Sequence, residues 1–419
     1  MRALVCFSVL FGLLATKSCA GFLVYPKILE GRADDGILLL RIREDLILRL
    51  EKASILAEDF FITSSTGDTT QTAQLYGRGL EENLYENKKH LSILAINVLN
   101  HGLKVSGLLN RTFRIAPVDS VHRSSKGRTL HEVTEIRSRA DLPSTDASKT
   151  DEEITSDLHE GYVRAENEAE RQRKHPRKFT VETCFLASHN YTSAFKTFTD
   201  FVEYVATMLN AAQLRFLDMK NPKVRFQLNR VIQNETYEIV NTTSNIVDMG
   251  ATLEHLKKLA IARLFNRCDI AVLLTRKPLL PAGGRNKRNE LMLITNDTIT
   301  KGVTGLTFIG GVCSDEKVAV VQDMPPSFSG VHTLAHEMAH SLGANHDEEG
   351  TLADFPGYPN SLNCIKKDGY LMTYWDSDRN KYRLSNCSKE QIRFIYSNLS
   401  TTCTDVSEEP CYTTDSYPG

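Results

Sequence analysis

The sequence predicts an α/β (α+β) domain over residues 179–405, a mostly parallel sheet carrying one functional helix, preceded by a β-rich region over 21–117. Three observations lead there. Apolar residues alternate with polar ones in the first region, as in Leu46, Leu48 and Leu50 around Arg49. Beyond residue 178 strand-like runs alternate with helical ones, the pattern of βα units. All cysteines after residue 20 fall at 184 or later.

The elements follow in order. Arg2, the apolar run Leu4–Ala15 and the small residues Ser18-Cys19-Ala20 form a secretory signal peptide, residues 1–20. The run is too short to cross a bilayer, which takes about 20 residues. In 21–117, Leu103, Val105 and Gly107 lead to Phe113 and Ile115, with a turn at Asn100-His101-Gly102. Residues 118–178 have few large apolar side chains and many charges, the composition of a flexible linker. The linker ends in the basic run Arg171–Lys178, either a solvated charge run or a processing site. In the domain itself, strands are expected at 181–186, 224–228, 270–274, 291–294, 305–309 and 317–321. Helical spacing marks Phe198–Ala212, Leu253–Leu264 and 331–342. Ser388 with Gln391 reads as a capping box opening a last helix with Ile392, Ile395 and Leu399. Residues 406–419 are a short tail.

Lys plus Arg is 50 and Asp plus Glu is 52, a net charge of -2. That balance argues against nucleic acid as a partner. No run after residue 20 approaches transmembrane length, so the expectation is an exported, extracellular protein. Cys184, Cys268, Cys313, Cys364, Cys387, Cys403 and Cys411 suit an oxidising compartment. Sequons at Asn110, Asn190, Asn234, Asn241, Asn296, Asn386 and Asn398 read as glycan acceptors.

The chemistry concentrates in His336-Glu337-Met338-Ala339-His340-Ser341-Leu342-Gly343-Ala344-Asn345-His346-Asp347. On a helix His336 and His340 share one face. Gly343 permits the sharp exit that returns His346 as a third ligand. Three neutral imidazoles suit Zn²⁺ with one position left open. Such a cation acidifies water and polarises a carbonyl, and Glu337 is placed to move the proton. Together these make an amide hydrolase.

The extended His-Glu-x-x-His-x-x-Gly-x-x-His resembles the metzincin metalloproteases, and Asp347 after the third His resembles their reprolysin branch, the adamalysin-like enzymes of venoms and ADAM proteins. Gly369-Tyr370-Leu371-Met372-Thr373-Tyr374 resembles the metzincin Met-turn, with Met372 beneath the ligands. Val24-Tyr25-Pro26-Lys27 and the overall layout are similar to salivary-gland metalloproteases of ticks. The resemblance implies a zymogen with protein substrates such as fibrinogen, fibrin or extracellular matrix. It implies that Gly305, Leu306 and Thr307 begin an edge strand that pairs with extended substrate. Its disulfide pattern implies Cys313–Cys403 and Cys364–Cys387, leaving Cys184 with Cys268. Glu182 and Asp269 match positions that hold a structural Ca²⁺ in some relatives, or else are surface carboxylates.

Several features depart from the family. Residues 21–183 hold no Cys, so latency cannot rest on a thiolate at the metal. The expectation is that 21–117 packs over the cleft, tethered by 118–178, until the basic run is cut. Tyr374 is either a structural or pocket residue or, as in astacins, approaches the metal. His332 is expected on the helix surface. Sixteen residues follow Cys403 with no disintegrin-like pattern among them, and Cys411 is expected either to pair outside the domain or to mark a shortened form of a longer architecture. The other class of function is a secreted binding or antagonist protein on an inactive scaffold.

Overall fold

Alternation of apolar and polar residues makes the N-terminal region a sheet with one face buried. The computed structural model describes residues 21–30, 37–66, 69–99, 102–118, 128–136, 176–241, 245–280, 304–352, 355–373 and 380–406. The N-terminal strands are β1 (Phe22–Val24), β2 (Lys27–Glu30), β3 (Leu38–Arg43), β4 (Leu46–Lys52), β5 (Leu56–Thr66) and β6 (Thr69–Tyr76). After the turn of helix α1 (Gly77–Leu80) come β7 (Leu84–Asn87), β8 (Ser92–Leu99), β9 (Gly102–Leu108), β10 (Phe113–Pro117) and β11 (His131–Glu135). Nine of them form an antiparallel sheet in the order β1-β11-β10-β9-β8-β7-β4-β3-β2. Leu40, Leu48, Leu50, Leu94, Val105 and Ile115 fill its own core.

Two expectations change here. The linker expected over 118–178 is interrupted by β11, which pairs with β1 and β10. Only His131 and Val133 point inward, and both are buried, so two core side chains among polar neighbours hid the strand. Residues 137–175, with most of the basic run, lie outside the described residues. The second change concerns β5 and β6. They leave the N-terminal sheet and join the second one, whose order is β18-β19-β16-β12-β13-β5-β6. This part of 21–117 therefore extends the far edge of the sheet, opposite β18, and does not cover a cleft beside β18. Alternation fixes which face of a strand is buried but not which sheet it joins.

The second sheet belongs mainly to the C-terminal region. Its strands are β12 (Lys178–Ala187), β13 (Lys223–Gln233), β16 (Ile270–Thr275), β18 (Gly305–Thr307) and β19 (Val318–Gln322). β14 (Val240–Asn241), β15 (Ile246–Asp248) and β17 (Leu279–Leu280) form a small side sheet. The pairs β12–β13, β12–β16, β16–β19 and β13–β5 are parallel; β18 runs antiparallel to β19. The helices are α2 (His189–Thr192), α3 (Phe198–Gln213), α4 (Met249–Ile261), α5 (Val331–Ser341), α6 (Asn386–Ser397) and α7 (Thr401–Thr404). α4 buries Leu253, Leu256 and Ala260 in the core on one face of the sheet. α3 and α5 lie in the other core, with Val205, Leu209, Leu334 and Met338. Parallel strands covered on both faces read as continuous apolar runs, which is why Ile270–Leu274 is legible without alternation.

The disulfides are Cys313–Cys403 and Cys364–Cys387, as the family pattern implied, and Cys184–Cys268, the pair left over. The strand expected at 291–294, Tyr374 and Cys411 lie outside the described residues. The last helix starts earlier than expected. Its N-cap is Ser385, whose Oγ accepts from the Ser388 backbone N–H at 3.1 Å. The side chain of Gln391 does not close a box but reaches two other segments, as described below. No helix among the described residues is long and apolar enough to cross a membrane.

Candidate active site

α5 carries the first two histidines. Its start is held by Asp323, a fully buried carboxylate at the end of β19. Asp323 Oδ1 accepts from Gly330 N–H at 2.8 Å, and Oδ2 accepts from the hydroxyls of Tyr191 and Tyr204 at 2.8 Å each. A carboxylate at a helix N-terminus also meets the positive end of the helix dipole. At the other end the chain after β18 closes the helix, with Gly310 and Val312 N–H donating to the carbonyls of His340 and Ser341 at 2.8 and 3.0 Å.

Gly343 then takes φ 107°, a value open to glycine. A Cβ there would come within 2.2 Å of Ile395 in α6. The exit brings His346 back over the helix. Its Nε2 lies 3.2 Å from Nε2 of His336 and 3.2 Å from Nε2 of His340. These are not hydrogen bonds between imidazoles. Nδ1 of His336 faces the Leu371 carbonyl at 2.8 Å and Nδ1 of His340 faces the Ala344 carbonyl at 2.7 Å. A carbonyl only accepts, so each Nδ1 carries the proton and each Nε2 presents a lone pair. Lone pairs held this close repel unless a cation sits between them. A tetrahedral Zn²⁺ with Zn–N of about 2.0–2.1 Å places its nitrogens roughly 3.3 Å apart. The three residues therefore fit the ion. Burial lowers the pKa of all three, that of His346 to about 3, so the neutral, ligating form prevails at neutral pH.

A second grouping, Asp269 with Cys313 and Cys403, is no metal site, because those sulfurs are joined in a disulfide and are not thiolates.

Glu337 is buried beside the ligands, and burial pushes its carboxyl up to about 8. Gly305 packs closely against it. A Cβ at 305 would lie 2.6 Å from Glu337 Oε1 and 2.6 Å from Thr333 Cγ2. The first residue of β18 must therefore lack a side chain for the strand to lie against the active-site helix. Beside it Thr304 Oγ1 and Thr333 Oγ1 are 2.6 Å apart. Leu306 and Thr307 are half-buried, and Thr307 Oγ1 donates to the Val318 carbonyl at 2.8 Å. β18 ends the sheet among the described residues, so one side of its backbone is open to an added strand.

Met372 is fully buried, and its turn supports the ligands through main-chain groups. Leu371 O fixes His336, and Met372 O accepts from Asp347 N–H at 2.9 Å. Asp347 Oδ1 accepts from Ser385 Oγ at 2.6 Å. Gln391 Oε1 accepts from Asn345 N–H at 2.9 Å while its amide donates to the Pro359 carbonyl at 3.0 Å. The loop carrying His346 is thus tied to the Met372 turn and to α6. The sequence singled out Asp347 but missed Asp323 and Ser385, and it gave Gln391 a capping role in place of its ties to Asn345 and Pro359, because these partners are far along the chain.

His332 lies outside the group formed by the other three histidines. It is half-buried one turn before His336, its Nδ1 is buried, and burial with nearby Arg215 lowers its pKa to about 3. Glu182 and Asp269 do come together: Glu182 N–H donates to Asp269 Oδ2 at 2.8 Å, and Asn229 donates to Glu182 Oε1 at 2.7 Å. Glu182 is buried and Asp269 half-buried, so neither is an ordinary surface carboxylate.

The chain is similar to known proteins. Over 386 residues the chain is 25% identical to the venom metalloproteinase BumaMPs1 of Olivierus martensii, covering 88% of each. It is 25% identical over 308 residues to the venom metalloproteinase antarease TserMP_A of Tityus serrulatus, covering 72% of this chain and 74% of that one. It is 34% identical over 230 residues to the antarease-like TfasMP_A of Tityus fasciolatus, covering 53% of this chain and 94% of that one. Residues 176–385 match the reprolysin profile described as metallo-peptidase family M12. The chain belongs to metallo-peptidase family M12 and is a reprolysin-type zinc metalloendopeptidase.

Proposed function

We propose that the protein is secreted behind the signal peptide 1–20, is made as a zymogen, and cleaves extended protein segments with Glu337 as general base. One observation carries the catalytic assignment: the Nε2 atom of His346 lies 3.2 Å from those of His336 and His340, beside a buried carboxyl packed against the edge strand. His336, His340 and His346 would hold the zinc. When bound, Zn²⁺ acidifies a water and polarises a carbonyl. The chain's own residues do the rest. The open side of Gly305, Leu306 and Thr307 pairs with substrate backbone and sets the scissile bond across the helix. Glu337 takes the proton from the attacking water and returns it to the leaving nitrogen. Burial favours its neutral form and a bound cation would favour its ionised form, so one carboxyl beside the ion can both take and return a proton. The venom metalloproteinases among the relatives support an extracellular role, and the substrate class proposed is the one the family resemblance implies, fibrin(ogen) or extracellular matrix.

The test is Glu337→Gln. It should fold, retain zinc by metal analysis, and lose peptidase activity on a denatured protein by roughly three orders of magnitude or more. Activity within tenfold of wild type would refute the base assignment, whereas a wild type that cleaves nothing in a zinc-loaded, chelator-controlled assay would favour the binding-protein reading.

A structural Ca²⁺ at Glu182 and Asp269 forms the second part of the proposal. Burial and the charge of Glu182 push Asp269 up to about 7, so a bound cation would relieve the pair. Added Ca²⁺ should raise the melting temperature of the wild type and leave Asp269→Asn unmoved. An equal response of both would remove this site.

A further inference from the structure

The N-terminal region is built into the same sheet and core as the catalytic region. β5 pairs in parallel with β13, with Leu56 opposite Leu228, Phe61 opposite Arg230 and Ile62 opposite Val231. Leu228 N–H also donates to the Ile55 carbonyl at 2.6 Å. Ile55, Leu56, Phe60 and Ile93 are buried in one apolar cluster with Phe179, Phe185, Val205 and Leu209. Polar ties frame it. Asn210 of α3 donates to Glu86 at 3.2 Å, Asn97 donates to Glu203 at 3.3 Å, and Lys104 meets Asp200 at 2.6 Å. The turn after β9 reaches the catalytic region elsewhere, where Tyr382 Oη donates to the Arg111 carbonyl at 3.3 Å.

We infer that residues 21–136 stay bound after the chain is cut between the two regions, as a non-covalent subunit that completes the sheet of the mature enzyme. A cover that merely blocks a cleft is held chiefly by its tether, and cutting the tether lowers its effective concentration until it leaves. A region that supplies sheet strands and core side chains is held by its own contacts. Its departure would bare the backbone of β13 as a new edge and remove Ile55, Leu56, Phe60 and Ile93 from the shared apolar cluster. Cutting the connection alone provides nothing to offset that. The inference concerns association, so it stands apart from the catalytic assignment. It does revise how latency ends: activation by cleavage would proceed without release of the N-terminal piece.

The association must be non-covalent, because residues 21–183 contain no Cys. The experiment uses the full-length protein cut by limited trypsin, with N-terminal sequencing to place the cut between Arg137 and Lys178. The two pieces should co-elute from a sizing column at the volume of the intact chain, even after dilution to nanomolar concentration. They should separate only in concentrated guanidinium. Hydrogen exchange in Arg230–Gln233 should be protected to within about twofold of the uncut protein, since those residues pair with β5. If material precipitates, both pieces should appear in the pellet in equal amounts. Separate elution in native buffer, unequal partition into a pellet, or loss of protection in β13 would overturn the inference.

Discussion

In the N-terminal region, order comes from strands that follow one another and pair antiparallel, with a core of alternating Leu, Ile and Val and no disulfide. In the C-terminal region it comes from parallel pairings between distant strands, three disulfides and a set of hydrogen bonds across long sequence separations. The first arrangement tolerates change at most positions, because a sheet face needs apolar side chains of about the right size. The second holds three imidazoles at a fixed spacing, and small residues are required where backbones approach. The two regions should therefore fail differently when perturbed.

Among the tests of this contrast, the largest effect is expected at Gly305. Gly305→Val puts side-chain carbons where Glu337 Oε1 now lies, 2.6 Å from the added Cβ. Either β18 lifts from α5 or Glu337 turns away from the ligands. kcat/KM should fall about 100-fold or more, equivalent to roughly 3 kcal/mol of transition-state stabilisation. Zinc content and far-UV circular dichroism should stay near wild type. An apolar exchange in the N-terminal sheet, Leu48→Met, should leave activity within about twofold. If both variants behave alike, the contrast between a tolerant scaffold and a fixed site is wrong.

Much of this was legible in the sequence, for reasons that differ between regions. The ligand triad was legible because two ligands sit four residues apart on one helix and a glycine announces the return of the third. Ile270–Leu274 was legible as a buried strand because both faces of a covered parallel strand are apolar. β11 was not, since two inward residues in a polar stretch fall below any periodicity signal. The placement of β5 was not, because pairing with β13 brings together residues about 170 positions apart, and strand patterning carries no address for the partner. Asp323 was not, because its meaning depends on Tyr191 and Tyr204, two hydroxyls that only the fold brings to it.

A medium effect should appear in the N-terminal region alone. His131 is fully buried there, its Nε2 accepting from Val105 N–H at 2.9 Å. Burial lowers its pKa from 6.5 to about 4, against a raising contribution from the Thr129 carbonyl. The folded state therefore favours the neutral ring. Its stabilising contribution is complete above pH 6.5 and is lost as pH falls toward 4, to a total of about 3 kcal/mol. Hydrogen exchange in β9 and β11 should rise over that window in the wild type. His131→Gln, which keeps an acceptor but cannot titrate, should flatten the rise. A rise of equal size in the variant would place the acid sensitivity elsewhere.

The smallest effect tests a tie at the edge of the active site. Ser385 caps α6 by accepting from Ser388 N–H, and its hydroxyl proton goes to Asp347 Oδ1. Asp347 in turn donates its N–H to Met372 O, beneath the ligands. Ser385→Ala removes both bonds. Loss of the cap costs about 1 kcal/mol of stability. Burial already pushes Asp347 up to about 6, with the Ser385 hydroxyl holding it down, so the variant should push that carboxyl higher. The consequence for chemistry is indirect: the loop that brings His346 to the other two histidines loses one anchor and keeps another, Gln391 on Asn345. The melting temperature should therefore drop by a few degrees. Zinc should dissociate severalfold faster in a chelator-exchange experiment, while kcat at saturating zinc stays within about threefold. The double variant Ser385→Ala/Gln391→Ala should lose more than the sum of the two single changes, because each anchor compensates for the other. Simple additivity would mean that the His346 loop is held by its own backbone and that α6 serves only to close the core.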